Sequence, residues 1–91
     1  MPERLPRLNG KVAIITGAGT IGPGIGNGKA TAILFAREGA KVLLVDIVLA
    51  AAQETLKLIE EEGGVASIFQ ADVSNAQECE SMVKTCIQRY G

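Results

Sequence analysis

An α/β chain with a parallel sheet follows from three observations on this 91-residue sequence. Three short runs rich in branched apolar residues recur along it: Val12-Ala13-Ile14-Ile15, Lys41-Val42-Leu43-Leu44-Val45-Asp46 and Val65-Ala66-Ser67-Ile68-Phe69-Gln70. A segment with helical periodicity follows each run. Six glycines crowd the interval from Gly17 to Gly28, where the first run gives way to the first helix. Strands buried on both faces read as continuous apolar runs, and parallel neighbours need a covering helix between them.

The first helix is predicted over Lys29 to Glu38. It is apolar nearly all round, which makes it the most buried of the three, and Gly39 supplies a left-handed cap. The second spans Leu49 to Glu62, with Leu49, Ala52, Leu56 and Ile59 on one face and Glu60, Glu61 and Glu62 on the other; Gly63-Gly64 ends it. The third opens on Ser74-Asn75-Ala76-Gln77, a Ser-x-x-Gln capping box, and carries Cys79, Met82, Val83, Cys86, Ile87 and Tyr90 at helical spacing. Strand, helix, strand, helix, strand, helix with right-handed crossovers is a Rossmann-like βαβαβα half with helices on both faces.

Composition supports a soluble globular chain: 47% of residues are hydrophobic and 21% charged, and nine basic against ten acidic residues give a net charge of −1. The charges are scattered, so the basic stripe that marks a nucleic-acid partner is missing. The N-terminal apolar run is too short for a signal peptide or a membrane span, which predicts a cytoplasmic protein with no membrane partner. Cys79 and Cys86 are seven residues apart on one predicted helix, about 10.5 Å along its axis, beyond the roughly 7 Å Cα separation that a disulfide tolerates. They read as small apolar residues on a buried face, and no metal site is expected.

The glycines sit where the carboxyl end of a strand meets a helix N-terminus. A pyrophosphate approaches the backbone only where no Cβ stands in the way, and there the free N–H groups and the positive helix end favour an anion. Asp46 closes the second strand, where a carboxylate accepts hydrogen bonds from an adenosine ribose and repels a 2′-phosphate, so NAD is expected in preference to NADP. Its neighbour Ile47 is counted with it among the cofactor-binding positions. Asp72 follows the third strand in the same way.

The segments "LNGKVAIITGAG", "GKATAILFAREGAKVLLVD" and "ADVS" together resemble the N-terminal third of the classical short-chain dehydrogenases/reductases, from Leu8 onward. The family pattern is Thr-Gly-x-x-x-Gly-x-Gly, with glycines lining the pyrophosphate, an acidic residue ending the second strand in NAD-preferring members, and an Asp-Val or Asp-Leu pair bordering the adenine. The resemblance implies that Gly17 is the first motif glycine, Asp46 the ribose-binding acid, and Asp72 and Val73 the adenine neighbours. The glycine loop is about five residues longer than the family norm. Counting back from Asp46 selects Gly26-Asn27-Gly28 as the closing Gly-x-Gly, because a helix-to-strand distance is harder to change than a surface loop. Gly24-Ile25-Gly26 is a competing register, so Ile25, Gly26, Asn27 and Gly28 are all candidate cofactor contacts.

The family's asparagine, serine and Tyr-x-x-x-Lys catalytic segments have no counterpart, since Tyr90 is the sole tyrosine and is followed only by Gly91. The resemblance therefore implies the dinucleotide-binding part of an oxidoreductase that moves a hydride between NAD and an alcohol or carbonyl. Catalytic residues are not expected in it. Full-length relatives are expected to be homo-oligomeric, and the short chain is expected to self-associate along its first strand. Alternatives are a non-enzymatic truncated product or partner of a full-length relative, and a divergent enoyl-reductase-like member, whose glycine loop is also long. A P-loop match around Gly28-Lys29 fails at Pro23 and Ala30, and Ser81-Met82-Val83-Lys84 lies mid-helix as a solvated face.

Overall fold

A computed structural model describes residues 7–19 and 27–91. Six elements alternate along the chain: β1 (Val12–Thr16), α1 (Asn27–Arg37), β2 (Lys41–Asp46), α2 (Leu49–Glu61), β3 (Val65–Gln70) and α3 (Ala76–Tyr90). The strands form one parallel sheet in the order β1-β2-β3. In register, Thr16 lies beside Val45, and Asp46 beside Gln70, so all three strands end at one edge.

The apolar runs were expected to be buried on both faces, and only β2 is. Val42, Leu43, Leu44 and Val45 have no accessible surface. β1 and β3, the edges of the sheet among the described residues, are partly exposed, with Val12 and Val65 open to solvent.

Alternate β2 side chains feed two cores. On one face Val42 and Leu44 pack with Ile15, Ala32, Ala36 and Ile59, under α1 and α2. On the other, Leu43 and Val45 meet Ala71 and Cys86, with Met82 and Tyr90 of α3 closing over them. The β1-α1-β2 and β2-α2-β3 crossovers run the same way across the sheet and place α1 and α2 on one face, while α3 covers the other.

α1 is the most buried of the three helices, as expected: it hides Lys29, Ala32 and Ala36, most of its other described residues are half-buried, and Leu34 is 54% exposed on its outer side. Two details of the other helices differ from expectation. In α2 the inward face is Ala51, Ala52, Thr55 and Ile59, and Leu49 is exposed because it sits at the first helical position, where the chain is still turning off β2. The cap of α3 is Asn75, whose side chain accepts from the Glu78 N–H at 3.1 Å. Ser74 does not serve as that cap because its backbone N–H and hydroxyl both go to Asp72. The glycine stops hold: Gly39 and Gly63 have φ of 93° and 81°, conformations that a Cβ disfavours. Cys86 is buried, and the half-buried Cys79 donates its thiol to the Val73 carbonyl.

Ile59 is 1% exposed and lies in the core that α2 shares with α1 and the sheet. Ile59→Ala should cost about 2–5 kcal/mol of unfolding free energy, and Leu49→Ala less than about 1. Urea denaturation of the two variants checks the order; equal losses would contradict the packing.

Candidate functional site

Parallel register brings the ends of the three strands and the turns after them to one edge. There Gly17, Gly19, Val45, Asp46, Ile47, Ala71, Asp72 and Val73 line an open cleft of about 300 Å3. The turn after β1 is shaped by Gly17, whose φ of 61° is left-handed and which has no atom within 4 Å of where a Cβ would stand. Ala18, fully buried, donates its N–H to the Val45 carbonyl at 3.2 Å and so anchors the turn to β2.

Two further glycines are required by contact. A Cβ on Gly28 would collide with the carbonyl oxygen of Gly17 and stand 2.7 Å from its carbonyl carbon. The first turn of α1 thus presses directly on the backbone at the end of β1. A Cβ on Gly19 would collide with Ala51 of α2. Lys29, buried at the start of α1, pairs with Glu54 at 3.0 Å and ties α1 to α2 behind the glycine turn.

Asp46 is the polar centre of the cleft. It is 6% exposed; Oδ2 accepts the Gly19 N–H at 2.9 Å and Oδ1 the Val48 N–H at 2.8 Å. A carboxylate offers about four acceptor positions, two per oxygen, so each oxygen keeps capacity for a second donor. Beside it, Ile47 and Val73 expose apolar side chains at the cleft wall. The Gln70 amide fixes the Ile47 carbonyl from β3 at 3.1 Å. Asp72 is held by Ser74, hydroxyl at 2.6 Å and N–H at 2.9 Å, and these bonds keep its carboxyl below the ordinary value.

Of the residues singled out in the sequence, the cleft gathers Gly17, Asp46, Ile47, Asp72 and Val73. Gly28 stands behind Gly17 and does not line the cleft. Asn27 opens α1 with its backbone. Ile25 and Gly26 lie outside the described residues, as does the side chain of Asn27. Sequence reasoning missed Gly19 and Thr55. The first was legible as the second glycine of Thr-Gly-x-Gly; the second, a lone hydroxyl within a helix, carries no pattern that marks it. Among the described residues no cluster of three His, Cys, Asp or Glu side chains is placed to hold a metal, and no helix is long and apolar enough to cross a membrane.

A half-sheet of this order, with a glycine turn and an acid at the carboxyl edge, is the architecture of Rossmann-like nucleotide-binding proteins. The family model for short chain dehydrogenases matches residues 11–91, and the chain belongs to that family. It is 42% identical over 84 residues to an uncharacterised oxidoreductase of Thermotoga maritima, covering 92% of this chain and 31% of that protein. It is 40% identical over 85 residues to the 7alpha-hydroxysteroid dehydrogenase of Escherichia coli K12, covering 93% and 31%. Among solved structures, a short-chain dehydrogenase/reductase from Burkholderia xenovorans superposes with a TM-score of 0.90 at 46% identity, over 94% of this chain and 34% of that one. The chain thus spans about a third of the length of the relatives it matches. Membership implies a nicotinamide dinucleotide, NAD or NADP, as the cofactor.

Contact geometry ranks the glycines. Gly28→Ala should disrupt the turn outright, because the obstacle is backbone and cannot move aside. Gly17→Ala should cost only the left-handed strain, about 1 kcal/mol. Thermal midpoints of the two variants test this; a milder effect at Gly28 would contradict the close approach.

Asp72 gives a pH signature. A carboxyl whose folded pKa lies below its unfolded value, about 3.9, contributes stability that is present above that value and lost as the pH falls through the folded pKa. Ser74→Ala should therefore lower the thermal midpoint at pH 7, with the gap from wild type closing towards pH 3. A gap that is constant with pH contradicts the assignment.

Proposed function

We propose that this chain is the cofactor-binding N-terminal part, residues 1–91, of a short-chain oxidoreductase that transfers a hydride between NAD and an alcohol or carbonyl substrate. The observation that carries the reading is the cleft itself, where a bare glycine turn, a backbone-anchored carboxylate and two exposed apolar side chains converge. Each part suits a different portion of a dinucleotide. Gly17, with nothing within 4 Å of where a Cβ would stand, leaves backbone open to a pyrophosphate beside the start of α1, where the helix dipole favours an anion. Asp46 retains one acceptor position on each oxygen for the two ribose hydroxyls. Ile47 and Val73 offer apolar surface to the adenine, with Asp72 at its edge.

When bound, the nicotinamide supplies the hydride chemistry, and this chain holds and orients the adenosine half. The Asp46 carboxylate, with no basic side chain lining the cleft among the described residues, repels a 2′-phosphate, which supports NAD over NADP.

The reading is tested by calorimetric titration with both dinucleotides. NAD should bind at least about tenfold more tightly than NADP, about 1.4 kcal/mol. Asp46→Ala should weaken NAD and narrow the ratio towards one. Tighter binding of NADP by the wild-type chain would refute the preference, and binding of neither would refute the site.

A further inference from the structure

The Ala18–Gly19 peptide is gripped on both sides. Its carbonyl oxygen accepts from the Thr55 hydroxyl at 2.8 Å, and its N–H, on Gly19, donates to Asp46 Oδ2 at 2.9 Å. The C=O and N–H of a trans peptide point in opposite directions across one rigid plane, so this unit links a hydroxyl on α2 to the carboxylate that ends β2. The direction of every bond is set by chemistry. An ionised carboxylate only accepts and an N–H only donates, while Thr55 must donate because it faces a carbonyl. Thr55 is fully buried, and its other neighbour, the Ala51 carbonyl at 3.4 Å, lies beyond the usual O–H···O range. Ala51 also carries the Cβ against which Gly19 packs, so two successive turns of α2 seat the same peptide.

We propose that Thr55 is a positioning residue for the cleft: its hydroxyl fixes the Ala18–Gly19 peptide and, through it, the orientation of the Asp46 carboxylate. The inference rests on the reading of the cleft as a dinucleotide site. Without the hydroxyl, the buried Ala18 carbonyl loses this donor, and only the packing of Ala51 against Gly19 is left on α2 to oppose rotation of the peptide. Rotation removes the Gly19 N–H from Oδ2, turns a carbonyl oxygen towards a carboxylate, and frees Asp46 to swing. Hydrogen bonds in series also polarise one another, so the Thr55 bond strengthens the Gly19 N–H as a donor even where no rotation occurs.

The test compares Thr55→Val, which keeps the shape and removes the hydroxyl, with Thr55→Ser, which keeps the hydroxyl, both in the full chain. Thr55→Val should raise the dissociation constant for NAD by about five- to tenfold and speed amide exchange at Gly19. Thr55→Ser should restore both to within about twofold of wild type. A purely structural threonine would lower the melting temperature of Thr55→Val and move neither readout, and that result overturns the proposal. If Thr55→Val does not fold, the wild type decides by NMR. A Thr55 hydroxyl proton in slow exchange with water, slowed further by NAD, supports the role, and rapid exchange indifferent to NAD overturns it. Should the wild-type chain bind neither dinucleotide, the site reading fails, and Gly19 exchange in the variants still decides what Thr55 does.

Discussion

Burial of strand β2 on both faces is the constraint from which the rest of the molecule takes its position. Four consecutive side chains, Val42 to Val45, are wholly removed from water, two into each core. A strand with no polar face can be stabilised only by layers on both sides, so α1 and α2 must lie on one face and α3 on the other. Its two edges are taken by β1 and β3 in parallel register. Asp46, the one charged residue at the carboxyl end of this apolar strand, is thereby held at the junction of both layers and both neighbouring turns.

The charge at that junction is managed by backbone alone. No lysine or arginine side chain approaches Asp46 among the hydrogen bonds and ion pairs of the described residues; its partners are the Gly19 and Val48 amides, one from the turn after β1 and one from the approach to α2. Amide donors stabilise a carboxylate without neutralising it. Asp46 therefore carries its charge with no cationic side chain bonded to it among the described residues, an arrangement that a salt bridge in the same place would abolish. The cation near this region, Lys29, is committed to Glu54 on the far side of the glycine turn.

The strands were legible in the sequence because their signal is dense: in β2 and β3 every residue from first to last falls within the apolar run, and the observed bounds coincide with those read from it. Helix faces were harder to read. Leu49 looks inward by periodicity, but it is exposed and the small residues Ala51 and Ala52 take the buried places, Ala51 against the glycine turn. The Ser74 cap was misread for a different reason. Ser74 and Asn75 are both good caps, and which one serves depends on Asp72, two residues upstream, capturing the serine. Glycine spacing singled out Gly28 as a motif glycine and cofactor contact; its close approach to the Gly17 backbone is a packing role that the spacing did not reveal. Thr55 was invisible because its partner, the Ala18 carbonyl, is 37 residues away in sequence and is brought to it only by the crossover through β2.

The contact between Gly28 and Gly17 has a further consequence for how this turn tolerates change in length. Where two backbone points are pressed together and each is anchored in a core, the chain between them is a closed loop whose ends are set by other residues. The entropy of closing such a loop grows only as the logarithm of its length, so lengthening the interval from six residues to eleven costs about 0.5 kcal/mol. About five extra residues at this turn are then a small perturbation on the sheet, and the strand end, the helix start and the carboxylate beside them can keep their places whatever the length of the interval.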